Sequence, residues 1–261
     1  MGIVRQYLSI QDKKIAFTYA PASDGAEPCL VFLHGLQSRK EIFDELRLNL
    51  EKSFPFSYLA MDFIGFGESD KPEDFSYDII DQADIVKKLL KEIGIKRVII
   101  IGHSLGGMVG TLLLEQDLTI DALISMEGNL CLEDCGESRV VADMSFEHFR
   151  STYFSSLKER LKTSNETSAP FRCTAIDLIP DYVFYKTAKS IVQWSKEEKL
   201  FDIFQTSSQP KLLICGEKSS FKSLPQNEHI KHATIKRAGH FMILDNPQEC
   251  IKVIGDFLKN I

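Results

Sequence analysis

Runs of apolar, β-branched residues alternate along the chain with segments whose apolar positions recur at helical spacing. Tyr7 to Ile10 and Lys14 to Tyr19 read as two strands joined by a polar turn at Gln11-Asp12-Lys13. A Pro/Ala/Ser/Gly-rich loop, Pro21 to Pro28, leads to the fully apolar strand Cys29 to Leu33. A helical stretch from Arg39 to Glu51 and a strand from Ser57 to Met61 follow. A helix from Tyr77 to Ile93 precedes the strand Val98 to Ile101, a helix from Met108 to Glu115 and a strand from Ala122 to Met126. Two further strands, Lys211 to Cys215 and Ala233 to Lys236, come before a closing helix from Pro247 to Lys259. Strands that are apolar throughout must be covered on both faces. Their alternation with helices predicts an α/β fold, a mostly parallel central sheet with helices on each side.

The rhythm breaks between Gly128 and Ser208. Two helical patterns, Phe146 to Leu161 and Asp181 to Trp194, flank a polar stretch from Thr163 to Ser168. Phe146, Phe149, Tyr153 and Leu157 fall at helical spacing, as do Tyr182, Tyr185, Ala188 and Val192. An insertion of this size between two sheet strands is expected to form a helical lid. Residues 1–127 and 209–261 then make the core, and residues 128–208 the lid. The aromatic stripes could line a substrate pocket, but packing is the expectation for each residue taken singly.

Composition narrows the choice further. A chain of 261 residues, 44% hydrophobic and 26% charged, suits one α/β domain with an insertion, or two small domains, around a sizeable core. The net charge of −6, without a Lys/Arg-dense stripe, argues against nucleic acid or an anionic membrane surface as partner. No segment reaches membrane-spanning length. Met1 to Ala20 lacks the apolar run of a signal peptide, and Gln6 stands where N-myristoylation needs Ser or Thr, so a cytoplasmic location is expected. Six cysteines without a C-x-x-C pair are expected as free thiols. Cys131 and Cys135 lie far in sequence from His229 and His232 with no further ligand pattern, so no metal site is expected.

The sharpest chemical signal is Gly102-His103-Ser104-Leu105-Gly106-Gly107, set between a strand and a helix. This is a nucleophile elbow, G-x-S-x-G in its required context. The tight turn forces Ser104 into a strained conformation, and glycines two residues to either side remove the Cβ atoms that would clash. His34-Gly35-Leu36 follows the strand ending at Leu33. The Leu36 and Leu105 amides are the candidate pair for an oxyanion hole. His34 is expected to be structural.

With Asp62-Phe63-Ile64-Gly65-Phe66-Gly67-Glu68-Ser69 and Ala238-Gly239-His240-Phe241 ahead of Asn246-Pro247, these motifs run in order across nearly the whole chain. In them the chain resembles the α/β-hydrolase superfamily, in its lidded branch of esterases, C–C hydrolases and haloalkane dehalogenases. The resemblance implies that Gly65 and Gly67 shape a loop beside the oxyanion hole. It also implies the chain order serine, acid, histidine, which makes His240 the base. Similar enzymes usually carry the acid as Gly-x-x-Asp after the strand matching Lys211 to Cys215. This chain has Gly216-Glu217-Lys218-Ser219 there, with Ser219 at the Asp position. Some lidded relatives place a Glu or Asp at the end of the preceding strand, which here is Glu127. Glu127 is therefore the expected acid, with Glu217 second.

The reading is a serine hydrolase with a Ser104-His240-Glu127 triad, acting on an ester-type bond of a small or acyl-chain molecule without metal or organic cofactor. A serine at the elbow, where the resemblance gives haloalkane dehalogenases and epoxide hydrolases an Asp, argues against those activities. Two alternatives stay open. One is C–C bond hydrolysis, thioester hydrolysis or perhydrolysis at the same triad. The other is an inactive binding module on this fold.

Overall fold

A computed structural model describes residues 5–22 and 28–261. The start of the chain and the middle of the loop from Pro21 to Pro28 lie outside the described residues. The strands are β1 (Arg5–Ile10), β2 (Lys13–Ala20), β3 (Cys29–Leu33), β4 (Ser57–Met61), β5 (Arg97–His103), β6 (Thr119–Met126), β7 (Lys211–Gly216) and β8 (Ile230–Ile235). Among the described residues they form one eight-stranded sheet in the order β1-β2-β4-β3-β5-β6-β7-β8. β2 pairs antiparallel with both β1 and β4, and β4, β3, β5, β6, β7 and β8 form a continuous parallel ladder.

Alternation along the strands gives the sheet two buried faces. Leu30, Phe32, Ile99 and Ile101 face one core, whereas Val31, Leu33, Val98 and Ile100 face the other. The first face is covered by α1 (Asp44–Leu50) and, after β8, by α10 (Met242–Asp245) and α11 (Pro247–Leu258). The second is covered by α2 (Ile79–Ile93) and α3 (Leu105–Leu113). From β3 the chain passes to β4 on one side and then returns to β5 on the other. The loops leaving the carboxyl ends of β3 and β5 therefore diverge and open a crevice, the place where sheets of this kind bind ligands.

Between β6 and β7 the chain leaves the sheet for α4 (Gly136–Ala142), α5 (Phe146–His148), a π-helical stretch (Phe149–Phe154), α6 (Ser155–Lys162), α7 (Ala169–Ile176), α8 (Asp181–Lys196) and α9 (Lys199–Thr206). The single helix expected from Phe146 to Leu161 is thus interrupted by a wide turn. The aromatic stripes pack on one another. Phe149, fully buried, lies between Tyr153, Phe154, Phe184 and Tyr185, with ring centroids 5.4 to 6.0 Å apart.

Candidate active site

Four sheet strands deliver the site at their carboxyl ends. β5 ends at His103, and Ser104 turns the chain into α3 with φ 53° and ψ −115°, a conformation that costs a non-glycine residue strain. The turn is possible only because its flanks lack side chains. A Cβ on Gly102 would come within 2.3 Å of the Gly106 carbonyl oxygen, and one on Gly106 within 2.0 Å of the Leu33 oxygen. The Ser104 amide donates to the Met126 carbonyl across 2.9 Å, which ties the elbow to the end of β6. Leu105 is the first residue of α3, so no preceding helical turn accepts from its N–H.

Glu127 follows β6, is almost wholly buried, and also has a positive φ of 51°. Its amide donates to the Ile214 carbonyl (3.1 Å), extending the ladder to β7 and fixing the direction of the side chain. Its carboxylate is fully occupied. The Gly216 amide donates to Oε1 at 2.8 Å, the Ser219 hydroxyl to Oε2 at 2.9 Å, and His240 Nδ1–H to Oε2 at 2.7 Å. With Nδ1 as donor, Nε2 is the basic nitrogen of the His240 ring. Ser219, at the position where the resemblance places an Asp, donates to Glu127 instead. Glu217 is directed elsewhere: its carboxylate accepts from the Arg237 amide at 2.7 Å.

His240 is held from behind as well. The Gly239 amide donates to Asp245 at 2.9 Å, and His103 Nε2–H donates to the His240 carbonyl oxygen at 2.9 Å. Burial, assisted by the neighbouring His240, lowers the pKa of His103 to about 3, so this imidazole is neutral. His34 is a second buried structural imidazole. It accepts from the Phe63 amide at Nε2 (3.1 Å), donates from Nδ1 to the Gly35 carbonyl (2.8 Å), and has its pKa lowered by burial. In the glycine-rich loop after β4, Asp62 accepts from the Lys40 amide and ammonium and from the Glu68 amide, at 2.8 to 2.9 Å. That fixes the chain beyond Leu36 to the 62–69 loop.

Ser104, Glu127, His240 and Leu36 line one cavity of about 750 Å³ between the sheet and the 128–208 segment. Among the described residues nothing hydrogen-bonds to Ser104 Oγ. The side chains that the 128–208 segment contributes to the cavity are mainly polar, among them Asn129, Glu137, Glu166 and Arg172. None of the aromatic residues singled out at helical spacing reaches it, so their apolar face is packing. Gln37 and Arg172 carried no signal in the sequence. Gln37 is one residue past Leu36, and its partner Arg172 lies in a short helix with no motif.

Cys131 accepts from the Ser223 hydroxyl at 3.2 Å, and His232 bonds the Pro225 carbonyl. No group of three His, Cys, Asp or Glu side chains among the described residues could hold a metal ion. All six cysteines are free. No helix of the described residues is long and apolar enough to cross a membrane.

Sheet order, elbow and crevice together define an α/β-hydrolase fold. The family model for the alpha/beta hydrolase fold matches residues 28–247, and the chain belongs to that family. Among curated relatives it is 26% identical to epoxide hydrolase 3 of Xenopus tropicalis, over 97% of this chain and 77% of that protein. Among solved structures it resembles one from a study of carboxylesterases of the thaumarchaeon Nitrososphaera gargenis, with a TM-score of 0.80, 18% identity, and 97% and 98% of the two chains covered. It also resembles an enol-lactonase from Burkholderia xenovorans LB400, with a TM-score of 0.78, 18% identity, and 97% and 100% covered.

Proposed function

We propose that this hydrolase cleaves carboxylic ester-type bonds of a small molecule through an acyl-enzyme on Ser104. The observation that carries the reading is the buried Glu127 carboxylate bonded to His240 Nδ1, which frees Nε2 as base in the cavity that Ser104 lines. His240 Nε2 takes the hydroxyl proton as Ser104 Oγ attacks the carbonyl carbon. The amides of Leu36 and Leu105 stabilise the oxyanion, and His240 returns the proton to the departing alkoxide. Water, deprotonated by the same nitrogen, then hydrolyses the acyl-enzyme. The 128–208 segment serves as the lid over this chemistry, with Glu137, Glu166 and Arg172 as its contribution to the cavity.

The epoxide hydrolase likeness does not alter the choice. Opening an epoxide by direct displacement would call for a carboxylate at the elbow, and Ser104 stands there. Short- and long-chain 4-nitrophenyl esters and a fluorophosphonate probe test the reading. The wild-type protein should turn over esters and be labelled, and Ser104→Ala should lose labelling and about 10⁴-fold or more in rate. Hydrolysis by Ser104→Ala at the wild-type rate would refute the assignment.

A further inference from the structure

Among the described residues Arg172 is the one buried cation that faces this cavity. Its side chain is 11% exposed, and its guanidinium lies over the Phe241 ring at 4.6 Å; Phe241 follows His240 in the chain, and their rings are 5.4 Å apart. Nε and Nη2 both donate to Gln37 Oε1, at 3.0 and 2.8 Å, beside the Leu36 amide. A buried guanidinium needs a carboxylate. The partner here is Glu166, which reaches in from the polar stretch between α6 and α7 with a side chain 61% exposed. The other acidic residues facing the cavity are committed. Asp134 accepts from the Ser223 hydroxyl and from the amides of Leu130, Cys131, Lys222 and Ser223, Asp245 from Gly239, Glu137 from Gln37 and Tyr153, and Glu127 from Gly216, Ser219 and His240. Lys218 and Arg237, which also line the cavity, make no ion pair among the described residues.

We propose that Arg172 anchors a carboxylate of the substrate, so that the ester cleaved carries a second, ionised acid group, and that Glu166 occupies this place in the free protein. The inference rests on the ester-hydrolase reading and names its substrate class. Glu166 is the side chain that can leave with little loss, because it is exposed and outside any helix. A ligand carboxylate taking its place keeps the guanidinium paired and gains the bidentate geometry that arginine offers.

Two substrate pairs test this: mono-4-nitrophenyl glutarate against 4-nitrophenyl pentanoate, with the acid on the acyl side, and 4-acetoxybenzoate against phenyl acetate, with the acid on the leaving group. In at least one pair, Arg172→Gln should lower the acidic-to-neutral ratio of kcat/KM by about 10- to 100-fold, and Glu166→Gln should raise it. Binding of glutarate itself, followed as a rise in Tm, should weaken in Arg172→Gln and strengthen in Glu166→Gln. The Glu166→Gln arm stands even if the arginine variant folds poorly. Ester hydrolysis with ratios unmoved by Glu166→Gln overturns the anchor and leaves the hydrolase reading intact. Glutarate binding that depends on Arg172 in a protein that hydrolyses no ester overturns the hydrolase reading and keeps the anchor.

Discussion

Glu127 concentrates several constraints in one residue: a positive φ, near-complete burial, and three donors to its two oxygens. In the proposed mechanism its negative charge faces the imidazolium that forms on His240 during attack. Glu127→Gln keeps the volume but offers a neutral oxygen and an NH₂ group that would confront the Gly216, Ser219 or His240 donors. A loss of about 10²- to 10⁴-fold in kcat is the expected result for an activated ester, comparable to the Asp→Asn change in a serine protease triad. Activity within a few-fold of wild type would remove Glu127 from the triad. Ser219→Ala deletes one of three donors and should cost no more than about tenfold. Adding Ser219→Asp to Glu127→Gln brings a carboxylate to the same place from β7, and partial recovery of rate is expected. Glu217→Gln should leave the rate near wild type, since its carboxylate serves the Arg237 amide.

At the scale of elements, the interrupted helix in the 128–208 segment explains what the aromatic residues do. The π-helical stretch widens one turn, and Phe149 within it is enclosed by rings from its own stretch and from α8. Phe149→Ala should therefore destabilise the protein by about 3–5 kcal/mol, the usual cost of deleting a buried ring. Denaturant unfolding measures it, while the ester chain-length profile should stay unchanged because Phe149 does not line the cavity. The sequence pattern alone offered both roles for these stripes, because helical periodicity marks a buried face without saying what it is buried against. The core strands were legible for the opposite reason. Cys29–Leu33 is apolar at every position and Ser57–Met61 at every position after its first, so a doubly covered strand suits both, and their observed limits match. The helices at Gly136–Ala142, Ala169–Ile176 and Lys199–Thr206 escaped notice because they are one or two turns long, too short for a clear period. The elbow could be read directly from its glycines. The Gln37–Arg172 contact could not, since a polar pair distant in sequence leaves no local pattern.

For the whole molecule, the two buried imidazoles set a direction for stability against pH. An imidazole in the unfolded chain takes up a proton near pH 6.5, while folded His103 resists protonation down to about pH 3. Between those values the unfolded state binds more protons, so stability falls as pH falls and is retained in full above about pH 6.5. The slope for one such group is about 1.4 kcal/mol per pH unit. His34, lowered by burial in the same direction, adds to the loss. His34 packs against Phe63 and Phe66, and His103 against His240 and Phe241. Protonating either one would place a charge among aromatic rings with no carboxylate bonded to it, so the resistance is a property of the folded packing. Urea unfolding at pH 7 and pH 5 should show about 2 kcal/mol lost through His103, with the contribution of His34 in addition. His103→Gln retains an N–H able to reach the His240 carbonyl but cannot take up a proton in this range. Its free energy of unfolding should depend less steeply on pH than that of the wild type, whatever its absolute value. Parallel pH dependences for the two proteins would mean that His103 is protonated as readily in the folded state as in the unfolded one.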